Sequence, residues 1–258
     1  LLSRHVSDER MSQAYSVHTF AGLLGSAATP VGMLFMHGMF GWRGAFIGAA
    51  ILGCVVAAVL ALQSEPAPAR AAKARADGAQ ADWRLLLSPP ILVSFLFFTL
   101  LAFSSFGFQN FMVVALGALH NTPVATANAG LTSYLVMSAV GVLAGGWIAT
   151  KTTKHGLTAK IGISVTALCT LVVGNFALSA VALPLVLAVS GLTIGAIMPA
   201  RDMIVRAVTP PGAFGKVFGF VTNGFNIGGI VSPLVFGAMM DHGQPWLVFM
   251  VIAIGSFA

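Results

Sequence analysis

Hydrophobic residues in this chain come in long unbroken runs, at about 17 to 37, 44 to 62, 91 to 116, 129 to 150, 161 to 182, 184 to 204, 217 to 238 and from 246 onward. Each complete run is about as long as the roughly twenty residues a helix needs to cross a bilayer core. The runs are apolar at every position, not at every second one, which predicts helices and not the strands of a membrane barrel with a polar lumen. Pro89, Pro90 and Pro184 stand where new helices would begin, and a missing backbone N–H costs nothing there. The expected fold class is all-α, a polytopic transmembrane helical bundle of eight spans. The last run stops at Ala258 after thirteen residues, and Leu1 follows no start methionine or signal peptide, so a fragment cut at both ends is expected.

Composition agrees with lipid as the main solvent. Hydrophobic residues make up 57% of the chain and charged residues 8%, against about a quarter charged in an ordinary soluble domain. Cys54 and Cys169 both lie inside apolar runs, so neither a disulfide framework nor a thiolate metal site is expected. Lysine and arginine set the orientation. With the first segment on the cytoplasmic side, twelve of the thirteen fall on alternate loops and only Arg43 falls on the other side, the asymmetry expected of cytoplasmic loops. Both ends of the chain are therefore expected on the cytoplasmic side of a cell inner membrane. The stretch from Gln63 to Leu87 is Ala-rich and charged with Pro66 and Pro68, and reads as a flexible linker. This gives three regions: two helices in 1–62, a cytoplasmic loop in 63–88, and a six-helix bundle with a truncated last helix in 89–258.

An internal repeat relates the first and seventh runs. Setting Pro30 against Pro233 brings Gly25 onto Gly228, Thr29 onto Ser232 and Phe46 onto Phe249, with Trp42 and Trp246 one residue out of step. Internal symmetry of this kind is how many transporter folds are built. Gly215, Gly219, Gly224, Gly228, Gly229 and Gly237 add a small-residue stripe that lets helix backbones approach closely in lipid.

The segment Gly145-Gly146-Trp147-Ile148-Ala149-Thr150-Lys151-Thr152-Thr153-Lys154-His155 resembles the loop motif of major facilitator superfamily transporters, roughly G-G-x-L-A-D-R-x-G-R-R. Thr150 stands in place of the family's aspartate and Thr153 in place of its glycine, while Lys151 and Lys154 keep the basic part. The resemblance implies a fold in which these spans are helices five to twelve, the first four helices being absent, and 63–88 links the two halves. A second stretch, Pro199-Ala200-Arg201-Asp202 with Arg206, Thr209-Pro210-Pro211-Gly212, Gly215, Gly228, Pro233, Gly237 and Asp241, is similar to the helix ten and eleven region of fosmidomycin-resistance-type exporters. The antiporter group of the family carries G-x-x-x-G-P in helix five; Gly25 and Pro30 match it, with Thr29 in place of the second glycine. The function implied is secondary active transport of a small solute by alternating access, including proton-coupled drug or organic-anion efflux. The implied partners are a small-molecule substrate, membrane lipid and coupling protons, with no nucleic acid and a monomer when full length. A non-transporting membrane receptor or scaffold with the same fold is the alternative.

Few polar side chains lie within the runs: His18, Gln109, Asn110, Asn128, Tyr134, Asn175, Asn223 and Asn226. Such groups in lipid generally face a bundle interior or a water-filled cavity. Gln109, Asn110, Tyr134, Asn223 and Asn226 are the candidate substrate-cavity residues; Asn223 and Asn226 are three apart and project toward one face. Lys151, Lys154, Arg201, Asp202 and Arg206 are the candidate cytoplasmic gate, with Asp202 and Arg206 at salt-bridge spacing on a helix. A pair exposed at that spacing contributes a few tenths of a kcal/mol, whereas a buried one that loses a partner costs several. No metal-ligand cluster, catalytic triad or phosphate-binding G-x-x-x-x-G-K-S/T loop is recognised, so no enzyme, no cofactor and no metal are expected. No acid lies deep in a run, which places the coupling carboxylate of a proton-driven transporter in helices one to four.

Overall fold

The computed structural model describes residues 11–62, 83–152 and 154–257, and for some positions of the first helix and of the C-terminus the backbone alone. Residues 63–82 of the expected linker, Thr153 of the loop motif and the basic residues of the first ten positions lie outside the described residues, as do the side chains of Thr29 and Pro30. The described residues are helical apart from short connections: α1 Met11–Leu62, a 3₁₀ turn Trp83–Leu87, α2 Pro89–His120, α3 Val124–Lys151, α4 His155–Asn175, α5 Ala182–Ala207, α6 Phe214–Asp241 and α7 Pro245–Phe257. No strand occurs among them. Six of the helical stretches are long and apolar enough to cross a membrane, and Pro245–Gly255 is a shorter apolar helix. The described residues divide into two compact units, one drawn from Leu1–Phe20 and Asp82–Ala258, the other from Ala21–Ala81.

In the second unit, α1 is broken at Gly41, whose φ of 69° and ψ of 179° are not helical. A positive φ with an extended ψ is open to glycine and strained for other residues. The break folds the chain back. A side chain at Gly48 would lie 2.8 Å from the sulfur of Met36, yet twelve residues of straight helix would hold those positions about 18 Å apart. Residues 42–62 therefore form a separate helix, as the two apolar runs predict. It is apolar and almost wholly exposed, with only 6% of its span window buried, and Phe46 on it is exposed while its repeat counterpart Phe249 is buried.

In the first unit two helix pairs make the closest approaches, α3 with α5 and α2 with α6. On α3 and α5 the approach is reciprocal: Gly141 and Gly145 lie against the backbone of Leu192 and Ala196, while Gly191 and Gly195 lie against the backbone of Tyr134 and Ser138. On α6, Gly228 lies against the backbone of Thr99 and Phe103, and one turn later Ser232 Oγ donates to the Phe103 carbonyl at 3.0 Å. Without a hydrophobic drive between helices in lipid, this dense backbone contact supplies the association. Helix α4 packs on α5 and α7, and α7 packs on α2. Phe236, Phe249, Met112, Leu116 and Leu187 are fully buried where these helices meet.

From residue 89 onward each run corresponds to one helix, and the largest boundary difference is at the end of α4. The run 161 to 182 predicts a helix to Ala182, but α4 ends at Asn175, where Phe176 turns extended. Gly174 and Asn175 are helix-stopping residues, and the Asn175 amide donates to the Leu171 carbonyl at 2.8 Å. The apolar residues Phe176, Ala177 and Leu178 carry the hydropathy past this stop. Asn175 is thus an exposed helix-end residue and not a group within a span.

Candidate functional site

The last two turns of α5 carry the first constellation. Arg201 and Asp202 are 9% and 5% exposed, so both charges lie inside the protein. Arg201 Nε donates to Asp202 Oδ1 at 3.0 Å, and its Nη2 lies 3.0 Å from the same oxygen. The guanidinium carbon lies 4.3 Å from the centre of the Phe98 ring on α2, and Phe98 is itself 1% exposed. The expected pairing put Asp202 with Arg206, four residues on. Asp202 accepts from its neighbour Arg201, whose guanidinium lies over Phe98, a member of the apolar cluster with Ile91, Val205, Val217 and Val221. Attraction to the ring face and hydrogen bonding to the carboxylate offset the desolvation of the guanidinium.

Lys151 and Lys154 sit apart from that cluster in character. Both are exposed; Lys151 closes α3, and Lys154 precedes α4 with its backbone N–H donating to Thr152 Oγ1 at 3.1 Å. Thr150 donates to the Trp147 carbonyl of its own helix at 2.7 Å. The position that holds an acid in the motif therefore carries a neutral hydroxyl bonded back to the helix. Arg206 is half-buried on α5.

The five expected cavity residues separate into two groups. Tyr134 is buried at 4% exposure, its ring 4.8 Å from that of Phe108. Asn110, Asn223 and Asn226 are exposed on α2 and α6, and Gln109 is half-buried. On α6 the glycine and serine face is packed on α2, since Gly224, Gly228 and Ser232 are buried, while Asn223, Asn226 and Ile227 are exposed. An exposed amide pair in the middle of a membrane helix costs free energy against hydrocarbon, so this face calls for a polar or protein environment.

Sequence reasoning missed the surroundings of Tyr134. It lines a small cavity in the first unit with Ser104, Ser105, Thr166, Thr170 and Ser190, closed by Leu101, Phe108, Ile194 and Ile252. Serine and threonine are common in membrane helices and usually bond to their own backbone, so no pattern in the sequence marks these five. Among the described residues no group of three or more His, Cys, Asp or Glu side chains is placed to hold a metal.

A family model described as Major Facilitator Superfamily matches residues 1–171 and, in an overlapping second match, residues 98–258. The two matches together span the whole chain. A search of curated proteins finds no match.

Proposed function

The chain belongs to the Major Facilitator Superfamily, and from that premise we propose that it is the helix five to twelve portion of a secondary active transporter that moves a small solute across a bacterial inner membrane by alternating access. That it is a multi-pass membrane transporter follows from the family and from its six apolar helices. The finer reading rests on one observation: α6 packs its glycine face against α2 while leaving Asn223 and Asn226 exposed at mid-helix. A bundle held together by close backbone contact moves as one body, and an exposed amide face at membrane depth suits a hydrated path that opens to each side in turn. Asn226, Asn223 and Gln109 are then the groups that meet solute.

In the same reading the buried Arg201–Asp202 pair, with Arg206, Lys151 and Lys154, forms the cytoplasmic gate, and residues 63–88 link the two halves. The loops rich in lysine and arginine face the cytoplasm. Efflux of a drug or organic anion, as in fosmidomycin-resistance-type exporters, is the substrate class proposed, with protons as the coupling ion. Among the described residues Asp202 and Asp241 both lie toward the C-terminal ends of their helices and not at mid-span, so the coupling carboxylate is assigned to helices one to four. Solute flux in membrane vesicles containing the full-length protein tests the reading. Uncoupler-sensitive movement supports it, and solute binding without movement identifies a receptor.

A further inference from the structure

Most hydroxyls in the first unit that lie within helices bond to their own backbone. Ser94, Thr99, Thr132, Ser138, Thr170 and Thr222 each donate to a carbonyl three or four residues back. Two do not. Ser104 on α2 and Ser190 on α5 are 4% and 1% exposed, and neither Oγ has a hydrogen-bond partner among the described residues. Both line the cavity that also takes in Tyr134, Thr166 and Thr170. A buried hydroxyl without a partner is costly, and two of them on one cavity wall point to an occupant they share.

We propose that this cavity binds one water molecule that accepts or donates hydrogen bonds to Ser104 Oγ and Ser190 Oγ together. The cavity is small, on the scale of a single water. The walls supply the two to four polar partners a buried water needs, because the Thr166, Thr170 and Tyr134 oxygens keep lone pairs free to accept. A monovalent cation fits the chemistry less well: the lining holds no carboxylate, and a bare charge in a neutral hydroxyl cage at membrane depth is uncompensated. Helix α7 closes the site tightly, since a side chain at Gly255 would lie 2.8 Å from Ser104 Oγ. The placement gives the water a purpose. Ser104 belongs to the α2–α6 pair and Ser190 to the α3–α5 pair, so one water bridges the two pairs and helps them move as one body, whichever solute is carried.

The test uses the full-length protein in detergent or nanodiscs and follows its thermal unfolding midpoint. Ser104→Ala and Ser190→Ala should each lower the midpoint by about 3 °C, and the double variant should lose less than the sum because both side chains hold the same water. A midpoint that rises or stays level in either variant would mean a dry cavity with two strained hydroxyls, and additive losses would mean two separate contacts; either result overturns the proposal. So does a wild-type midpoint that rises in sodium chloride over choline chloride and loses that rise in Ser190→Ala, which identifies a cation site. If the variants fail to assemble, a density map of the wild-type protein decides. A peak within hydrogen-bond distance of both Oγ atoms supports the water, and a cavity without one overturns it.

Discussion

The guanidinium of Arg201 stacks on the ring of Phe98 at 4.3 Å while holding the carboxylate of its neighbour Asp202, and this contact fastens the end of α5 to the first turns of α2. Its energetics are those of a buried pair. Removing one member leaves the other charge inside the protein without its partner, which costs about 3–5 kcal/mol.

Asp202→Ala should therefore destabilise the full-length protein by about 3–5 kcal/mol, whereas Lys151→Ala and Lys154→Ala, at exposed positions, should each stay within about 0.5 kcal/mol. Reversible denaturant unfolding in detergent measures both. Equal effects at Asp202 and Lys154 would show that the burial of the pair contributes nothing to stability.

Two glycines should respond in opposite ways to alanine. Gly195 lies against the backbone of Ser138, which cannot yield as a flexible side chain would, while Gly219 has nothing within 4 Å. Gly195→Ala should push α3 and α5 apart at a cost of about 1–3 kcal/mol, and Gly219→Ala should be neutral or stabilise by up to about 1 kcal/mol through helix propensity. The folded fraction recovered from membranes after a heat challenge reads the difference.

The contrast between those glycines was not legible in the sequence, where Gly219 belongs to the small-residue stripe and Gly195 carries no mark of its close approach. What the apolar runs do carry is the existence and order of the helices, because a span must be continuously apolar over about twenty residues. They misplace the end of α4, since Phe176, Ala177 and Leu178 continue the apolar run beyond the turn set by Gly174 and Asn175. They also say nothing about the partner of Asp202: helical spacing favours Arg206, while the structure has Arg201 on the Asp202 carboxylate and over the Phe98 ring. Tyr134 was recognisable as a large polar group in a span, but the serines and threonines around it were not, because each looks like an ordinary back-bonded hydroxyl.

Topology can be checked in a background free of Cys54 and Cys169. A single cysteine at Lys154 should react with a membrane-impermeant thiol reagent only from the cytoplasmic side, and one at Asn121 only from outside; both positions are exposed at helix ends. Reaction of both from one face of intact cells would overturn the orientation.

Asn226 is exposed on α6, between the buried Gly224 and Gly228. Asn226→Ala should change transport rate several-fold while shifting stability by no more than about 0.5 kcal/mol. A fall in folded protein with unchanged flux per folded molecule would make Asn226 a packing residue.

The account's central claim is that the amide face of α6 opens alternately to the two sides of the membrane. The most direct measurement is the reaction of Asn226→Cys, in the full-length cysteine-free protein, with an impermeant thiol reagent applied to right-side-out and to inside-out vesicles. The account predicts reaction from both sides, each slowed when solute is present. Reaction from one side alone, or none from either, would contradict it.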